Sequence, residues 1–230
     1  MAPASPRGCG SEPPAVPRRC GVEGSAVLRI VGGTLSGRRF SGPPGDVTRP
    51  TSERVREAIA SAIESRGGFD DVQVLDLYAG TGAMAFEALS RGARAAVLVD
   101  QDGRVARSIS QAAAELQLVD RATVIAADLR TPAAIARIEG ATDRPFDRVF
   151  VDPPYAEIGQ VAPLIARLVA RALLAPGCIL AIEHAKKHAP AQPEGFALLT
   201  HKHYGDTSVL FLSFDPVPSE PLSPDEEAPA

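Results

Sequence analysis

Apolar runs recur through the middle of the chain: VQVLDLY (72–78), AAVLVD (95–100), ATVIAAD (122–128), FDRVFVD (146–152) and CILAIEH (178–184). Between them, apolar residues fall at helical spacing near 83–91, 102–117, 131–138 and 157–174. Strands that are apolar on both faces are buried on both faces. Alternation of such strands with helices predicts a parallel sheet covered on each side. After Pro193, two apolar runs flank Tyr204-Gly205-Asp206 and predict a hairpin that adds antiparallel pairing at one edge. Upstream, Val27–Val31 reads as a short strand. Glycines at 32, 33 and 37 supply turns, and Arg38–Phe40 begins a return strand. A helix then starts near Pro50, with Thr51 and Ser52 as cap candidates and Val55, Ile59, Ala62 and Ile63 as its apolar stripe. Arg54 and Arg56 lie off that stripe and are expected to be exposed. No internal repeat is visible.

The pattern fades at both ends. Residues 1–25 are rich in Pro, Gly, Ser and Arg, and the tail after 215 is rich in Pro and acids. Both are expected to be disordered. The reading is a 1–25 extension, a hairpin and helix at 26–66, a larger α/β unit at 67–215 and an acidic tail at 216–230. The length of 230 residues suits one α/β domain with decoration. No apolar run is long enough for a membrane span, and the first residues lack the apolar segment of a secretory signal. A cytoplasmic monomer is expected. Cys9, Cys20 and Cys178 are odd in number and widely spaced, so neither a disulfide framework nor a metal site is expected.

Charge changes the picture. The net value of −4 conceals ten Arg against six acids in residues 1–66. Such a basic front end points to a polyanionic partner; a merely solvated surface would read the same.

The chemistry sits at the strand ends. Asp76 precedes AGTG (79–82), a glycine turn between strand and helix that lets a ligand approach the backbone. Gly80-x-Gly82-x-x-Ala85 also fits a dinucleotide fingerprint, so this turn alone says only that the ligand is nucleotide-like. Asp100 closes the next strand, where an acid can accept both hydroxyls of a ribose. Asp128 closes a third and could accept from an adenine amine. Asp152-Pro153-Pro154-Tyr155 closes the fourth. Proline cannot donate to a strand ladder. Asp152 and the Pro153 carbonyl can therefore both accept from one NH₂ group, while Tyr155 offers a flat face. That set suits a planar molecule with an exocyclic amine, whose lone pair must be localised before it attacks.

VLDLYAGTGAMAFEALSRGA and FVDPPY resemble the class I S-adenosylmethionine-dependent methyltransferases that act on exocyclic amines. LRIVGGTLSGRRF, TRPTSERVREAI and HYGDTSVLFL narrow the likeness to the RsmD family, the guanine-N2 methyltransferases of small-subunit (16S) ribosomal RNA. The likeness runs from about Val27 to Phe214. It implies a Rossmann-like seven-stranded sheet with a small N-terminal β-hairpin plus helix, S-adenosylmethionine as cofactor, and ribosomal RNA as partner, free or in a partly assembled particle. The implied cofactor residues are Asp76, Tyr78, Ala79, Gly80, Gly82, Asp100 and Asp128. Asp152–Tyr155 become the target-base motif. Arg49–Glu57 lie beside cofactor and RNA. The implied RNA contacts are Arg29, Arg38, Arg39, Arg49, Thr51, Arg54 and Arg56. Lys202 and His203 are expected to be less central, and His184, His188 and His201 to be surface or loop residues. The alternatives are the same chemistry on adenine N6, cytosine N4 or a protein glutamine. An oxidoreductase would leave the Asp-Pro-Pro-Tyr motif unexplained, and a non-catalytic RNA binder would have no need of both motifs.

Overall fold

The computed structural model describes residues 25–44 and 52–215. The disordered ends expected from composition, Cys9 and Cys20, and the candidates Arg49 and Thr51 lie outside these residues. At the front, β1 (Ser25–Arg29) pairs antiparallel with β2 (Arg39–Pro44). The helix α1 (Glu53–Glu64) follows, capped by Ser52, whose Oγ accepts from the Val55 N–H at 3.3 Å.

The buried apolar runs become β3 (Gln73–Leu77), β4 (Ala95–Asp100), β5 (Ala122–Ala126), β6 (Phe146–Val151) and β7 (Leu174–Ala185). They alternate with α2 (Ala83–Ser90), α3 (Gly103–Leu116), α4 (Pro132–Glu139) and α5 (Val161–Ala170). The terminal hairpin, β8 (Phe196–Tyr204) and β9 (Thr207–Phe214), joins β7 through β9. The sheet order is β5-β4-β3-β6-β7-β9-β8. The first five of these strands are parallel, and β9 runs against both of its neighbours. After β3 the chain moves outward to β4 and β5, then returns to β3's other side as β6. That reversal opens a crevice at the carboxyl ends of β3 and β6, where open α/β sheets bind ligands.

Two cores flank the sheet. One gathers Phe40, Ile59, Phe86 and Ile109 against Leu98 and Phe211; the other gathers Ile138, Ile165 and Leu168 against Leu75 and Leu180. The front hairpin belongs to the first. Phe40 meets Phe86 edge-on at 5.3 Å between ring centroids, a pair that contributes about 0.5–1.5 kcal/mol beyond area burial. The described residues of the 26–66 stretch therefore share their core with the sheet.

Two elements differ from their sequence outlines. The apolar stretch near 157–174 divides into a 3-10 turn (Tyr155–Gln160) and α5. Pro163 sits in the first turn of α5, where its missing N–H costs nothing. β7 begins at Leu174 rather than 178, because Leu174 already pairs with Phe146 before an irregularity in register.

Candidate functional site

Strand register builds the site. Leu77 of β3 pairs with Val99 of β4 on one side and Val151 of β6 on the other. The next residues, Tyr78, Asp100 and Asp152, therefore leave the sheet at one level. The following turn is tight: Tyr78, Gly80 and Gly82 all have positive φ, at 59°, 54° and 73°. Gly82 is required there. A Cβ would lie 3.0 Å from the Phe86 ring and 3.1 Å from both Ile109 and Leu98. Gly82 also starts α2 with no side-chain cap, so the helix presents backbone N–H groups at its N-terminus.

The acids are held by backbone. Asp76 is buried, and its Oδ2 accepts from the Ala85 N–H at 3.1 Å. Asp100 accepts from the N–H of Gly80 at 3.0 Å and of Asp102 at 2.9 Å. Burial pushes the Asp76 carboxyl well above the usual carboxylate range, and the charges of Asp152 and Asp100 push it further. Burial also raises Asp100. A cation placed beside Asp76 would relieve the charges that Asp152 and Asp100 press on it. Tyr78 has its phenol pushed up to about 12, first by burial and then by the neighbouring Glu157.

Asp100, Asp152 and Tyr155 line one cleft of about 710 Å³, together with His184 and Tyr204. That volume lies within the range of small-molecule sites, about 300–1,000 Å³. A recess of about 50 Å³ opens beside it, lined by Asp76, Met84, Phe150 and Arg56. Tyr155 is 58% exposed, while Pro153 beside it is buried. The cleft thus combines an acidic glycine turn with an acid, a proline corner and an aromatic face.

The fold brings together Asp76, Tyr78, Ala79, Gly80, Asp100, Asp152, Pro153, Pro154 and Tyr155. Asp128 does not line the cleft, although its charge reaches Tyr78, which does. Asp100 pairs with Ala126, so Asp128 lies two residues past that level, in the turn before α4. Its carboxylate is held by Arg130 at 2.8–3.2 Å, and that ion pair lowers its pKa to about 2.

Among the front-end arginines, Arg56 departs from expectation. Arg56 is 2% exposed, not solvent-facing: it donates to the Arg29 carbonyl at 2.8 Å and lies 3.9 Å from Glu87, which is fully buried. Glu87 in turn accepts from the N–H groups of Val31 and Gly32. Arg56 and Glu87 therefore clamp β1 to α1 and α2. Helical spacing placed Arg56 off the α1 stripe, but the hairpin covers that flank. Arg29 pairs with Glu53 at 2.8 Å. Arg38 donates to the carbonyls of Glu115 and Leu116 at the end of α3. Arg39 and Arg54 are exposed.

Sequence reading missed Glu183, His184, Tyr204, Asp206 and Thr207, all of which line the cleft. His184 is 3% exposed, not a surface residue. The signal was present: CILAIEH ends its strand in Glu-His, at the same carboxyl edge as the aspartates. Among the described residues, no group of three His, Cys, Asp or Glu could hold a metal, and Cys178 is buried.

Comparison with known proteins follows the same outline. The family described as Conserved hypothetical protein 95 matches residues 28–213. Ribosomal RNA small subunit methyltransferase D of Escherichia coli K12 is 32% identical over 79% of this chain and 87% of its own length. The Haemophilus influenzae protein of the same name is 28% identical over 79% of this chain and 91% of its own. A solved Escherichia coli chain, yhhF, superposes with a TM-score of 0.69 at 30% identity, covering 83% of this chain and 99% of that one. An RNA methyltransferase of Salinibacter ruber, solved with S-adenosyl-L-homocysteine, shares the fold at 16% identity and a TM-score of 0.55, over 76% of this chain and 99% of that one.

Proposed function

Because the chain belongs to the RsmD family of class I methyltransferases, we propose that it methylates the exocyclic N2 amine of a guanine in small-subunit ribosomal RNA, with S-adenosylmethionine as donor. The observation that carries this reading is the shared cleft: Asp100 and the 78–82 turn open onto the same space as Asp152–Tyr155.

The residues fit the donor. S-adenosylmethionine supplies an electrophilic methyl group on a sulfonium, and it also carries an ammonium, a carboxylate and a ribose diol. The mutually repelling acids Asp76, Asp100 and Asp152 favour its cationic part. A carboxylate has about four acceptor positions, so Asp100 retains capacity for ribose hydroxyls beside its backbone bonds. The uncapped start of α2 suits the carboxylate.

The target end works on the amine. Asp152 and the Pro153 carbonyl accept its two N–H bonds, which localises the nitrogen lone pair. As the N–C bond forms and the methyl's bond to sulfur breaks, Asp152 would balance the positive charge on nitrogen and accept the proton it gives up. Tyr155 stacks on the base and fixes its plane. No covalent enzyme intermediate is involved; orientation supplies most of the acceleration. Guanine N2 is engaged in pairing inside a duplex, so the base enters unpaired or flipped out. The substrate is the RNA alone or in a partly assembled particle, and a cytoplasmic monomer fits both. No described helix is long and apolar enough to cross a membrane.

The test is methyl transfer from labelled S-adenosylmethionine to small-subunit particles lacking the modification, followed by nucleoside analysis. Label is expected in N2-methylguanosine; label in another nucleoside overturns the target atom. Asp152→Asn is expected to slow transfer about 10²–10⁴-fold at unchanged affinity for the donor. Lost donor affinity instead would move Asp152 to the cofactor end.

A further inference from the structure

The cleft has the wrong charge for its substrate. Asp100, Asp152 and Glu183 line it, and an RNA strand brings one negative charge per phosphate. A cationic surface must therefore stand close to the opening. Resting on the RNA reading above, we propose that the β7–β8 end of the sheet is the wall that grips the RNA backbone, with Lys186, Lys187 and Lys202 as its phosphate contacts.

All three lysines of the chain, and all four histidines, fall between residues 184 and 203, whereas its 21 arginines are spread elsewhere. The fold then gathers them. β9 runs antiparallel to both β7 and β8, so β7 and β8 point the same way and end together at the cleft. Lys186 and Lys187 directly follow β7. The Lys186 N–H donates to the Asp206 carbonyl at 3.0 Å, and Asp206 lines the cleft. Lys202 sits two residues before Tyr204 on the same face of β8, about 7 Å back at the usual strand rise. Tyr204 also lines the cleft.

All three lysines are exposed. Among the described residues, no acid pairs with any of them. Several other cations are engaged within the protein, while Arg54, between the cleft-lining Ser52 and Val55, is exposed. Arg104 is bound to Asp102, Arg130 to Asp128, and Arg29 to Glu53. Lysine suits the task, because a point charge on a flexible stem follows phosphates without demanding one geometry.

The histidines brace this wall. His184 Nε2 and His201 Nε2 lie 3.0 Å apart, joining β7 to β8 across β9. His203 Nδ1 lies 2.7 Å from Ser208 Oγ, joining β8 to β9. His184 Nδ1 faces the Ala185 carbonyl at 2.8 Å, which places its proton there and leaves Nε2 to accept from His201.

The experiment uses the full chain and a small-subunit RNA fragment that the parent methylates. Fluorescence anisotropy reads RNA affinity across a salt series for K186E/K187E/K202E and, as a comparison, R39E/R54E. The lysine variant is expected to lose at least about ten-fold in affinity near 0.1 M salt. Three lost phosphate contacts also flatten its plot of log K against log salt by about two units. Its donor affinity and melting temperature are expected to hold, and R39E/R54E is expected to stay within about two-fold of the parent. The corresponding Lys→Gln variant is expected to show the same order with a smaller loss. Unchanged affinity and slope in a folded lysine variant overturn the proposal. An equal loss in R39E/R54E also overturns it, because general charge rather than contact would then be acting. A parent that methylates no RNA removes the underlying reading, and that result is read before any variant.

Discussion

The front of the molecule and the β7–β8 end carry cations of different kinds and use them differently. In the front, Arg56 is buried against Glu87, Arg38 closes the end of α3 and Arg29 is matched by Glu53. These planar forks bind carbonyls and carboxylates of the protein itself. At the β7–β8 end, the lysines extend from exposed backbone, and histidines tie the strands beneath them. Guanidinium groups tolerate burial when several acceptors surround them; an ammonium is strongly hydrated and stays in water. Arg39 and Arg54 stay exposed at the front, so what the contrast teaches is that charge alone does not mark a nucleic-acid surface; which charges the fold engages has to be read residue by residue.

The largest test of this contrast is Arg56→Ala. If Arg56 is a clamp, its loss leaves Glu87 buried with less compensation. Breaking a buried pair costs about 3–5 kcal/mol, and the lower end is expected because Arg91 and two N–H groups still face Glu87. Urea denaturation measures it. A variant of parental stability that binds RNA weakly would return Arg56 to the RNA surface and break the contrast.

Arg38→Ala is a milder version. It frees two carbonyls at the end of α3, which water can partly satisfy. A loss of about 1 kcal/mol is expected, with RNA affinity unaltered. Weaker RNA binding at unchanged stability would show that the front end does reach the substrate.

The smallest effect concerns the histidines. His201 has its pKa lowered, first by burial and then by His184 and His203. The folded chain therefore prefers the neutral ring. That contribution is present above the ordinary imidazole value, about 6.5, and is lost as pH falls below it. The melting temperature is expected to drop below that pH, and His201→Gln to reduce the drop. Between about pH 5.5 and 7.5, RNA affinity of the folded chain is expected to stay constant, since the lysines carry the charge. A fall in affinity across that interval would make the histidines, not the lysines, the charged part of the wall.

Much of the site was legible before any fold was known. The rule that ligands meet the carboxyl ends of parallel strands selects Asp76, Asp100 and Asp152 from the apolar runs that precede them. The glycines at 80 and 82 mark a turn with positive φ, and Asp-Pro-Pro-Tyr announces a rigid corner with an aromatic face. Each signal is local, encoded within a few residues of one strand end. Asp128 satisfies the same local rule and still stands outside the cleft. Its strand is an edge strand that ends at Ala126, and Arg130 is near enough to hold its carboxylate.

By itself, then, the sequence determined the parallel sheet, the glycine turn and the Asp-Pro-Pro-Tyr corner, because backbone preference and strand-end chemistry act over short distances. The tertiary structure alone decided which cations face solvent. That outcome depends on what packs against each side chain: the hairpin that covers Arg56, the helix end that engages Arg38, and the β8 strand that carries Lys202 to the rim. The first two partners lie 27 and 78 residues away along the chain, the third effect needs the pairing of β8 with β9, and neither helical spacing nor charge counting contains them.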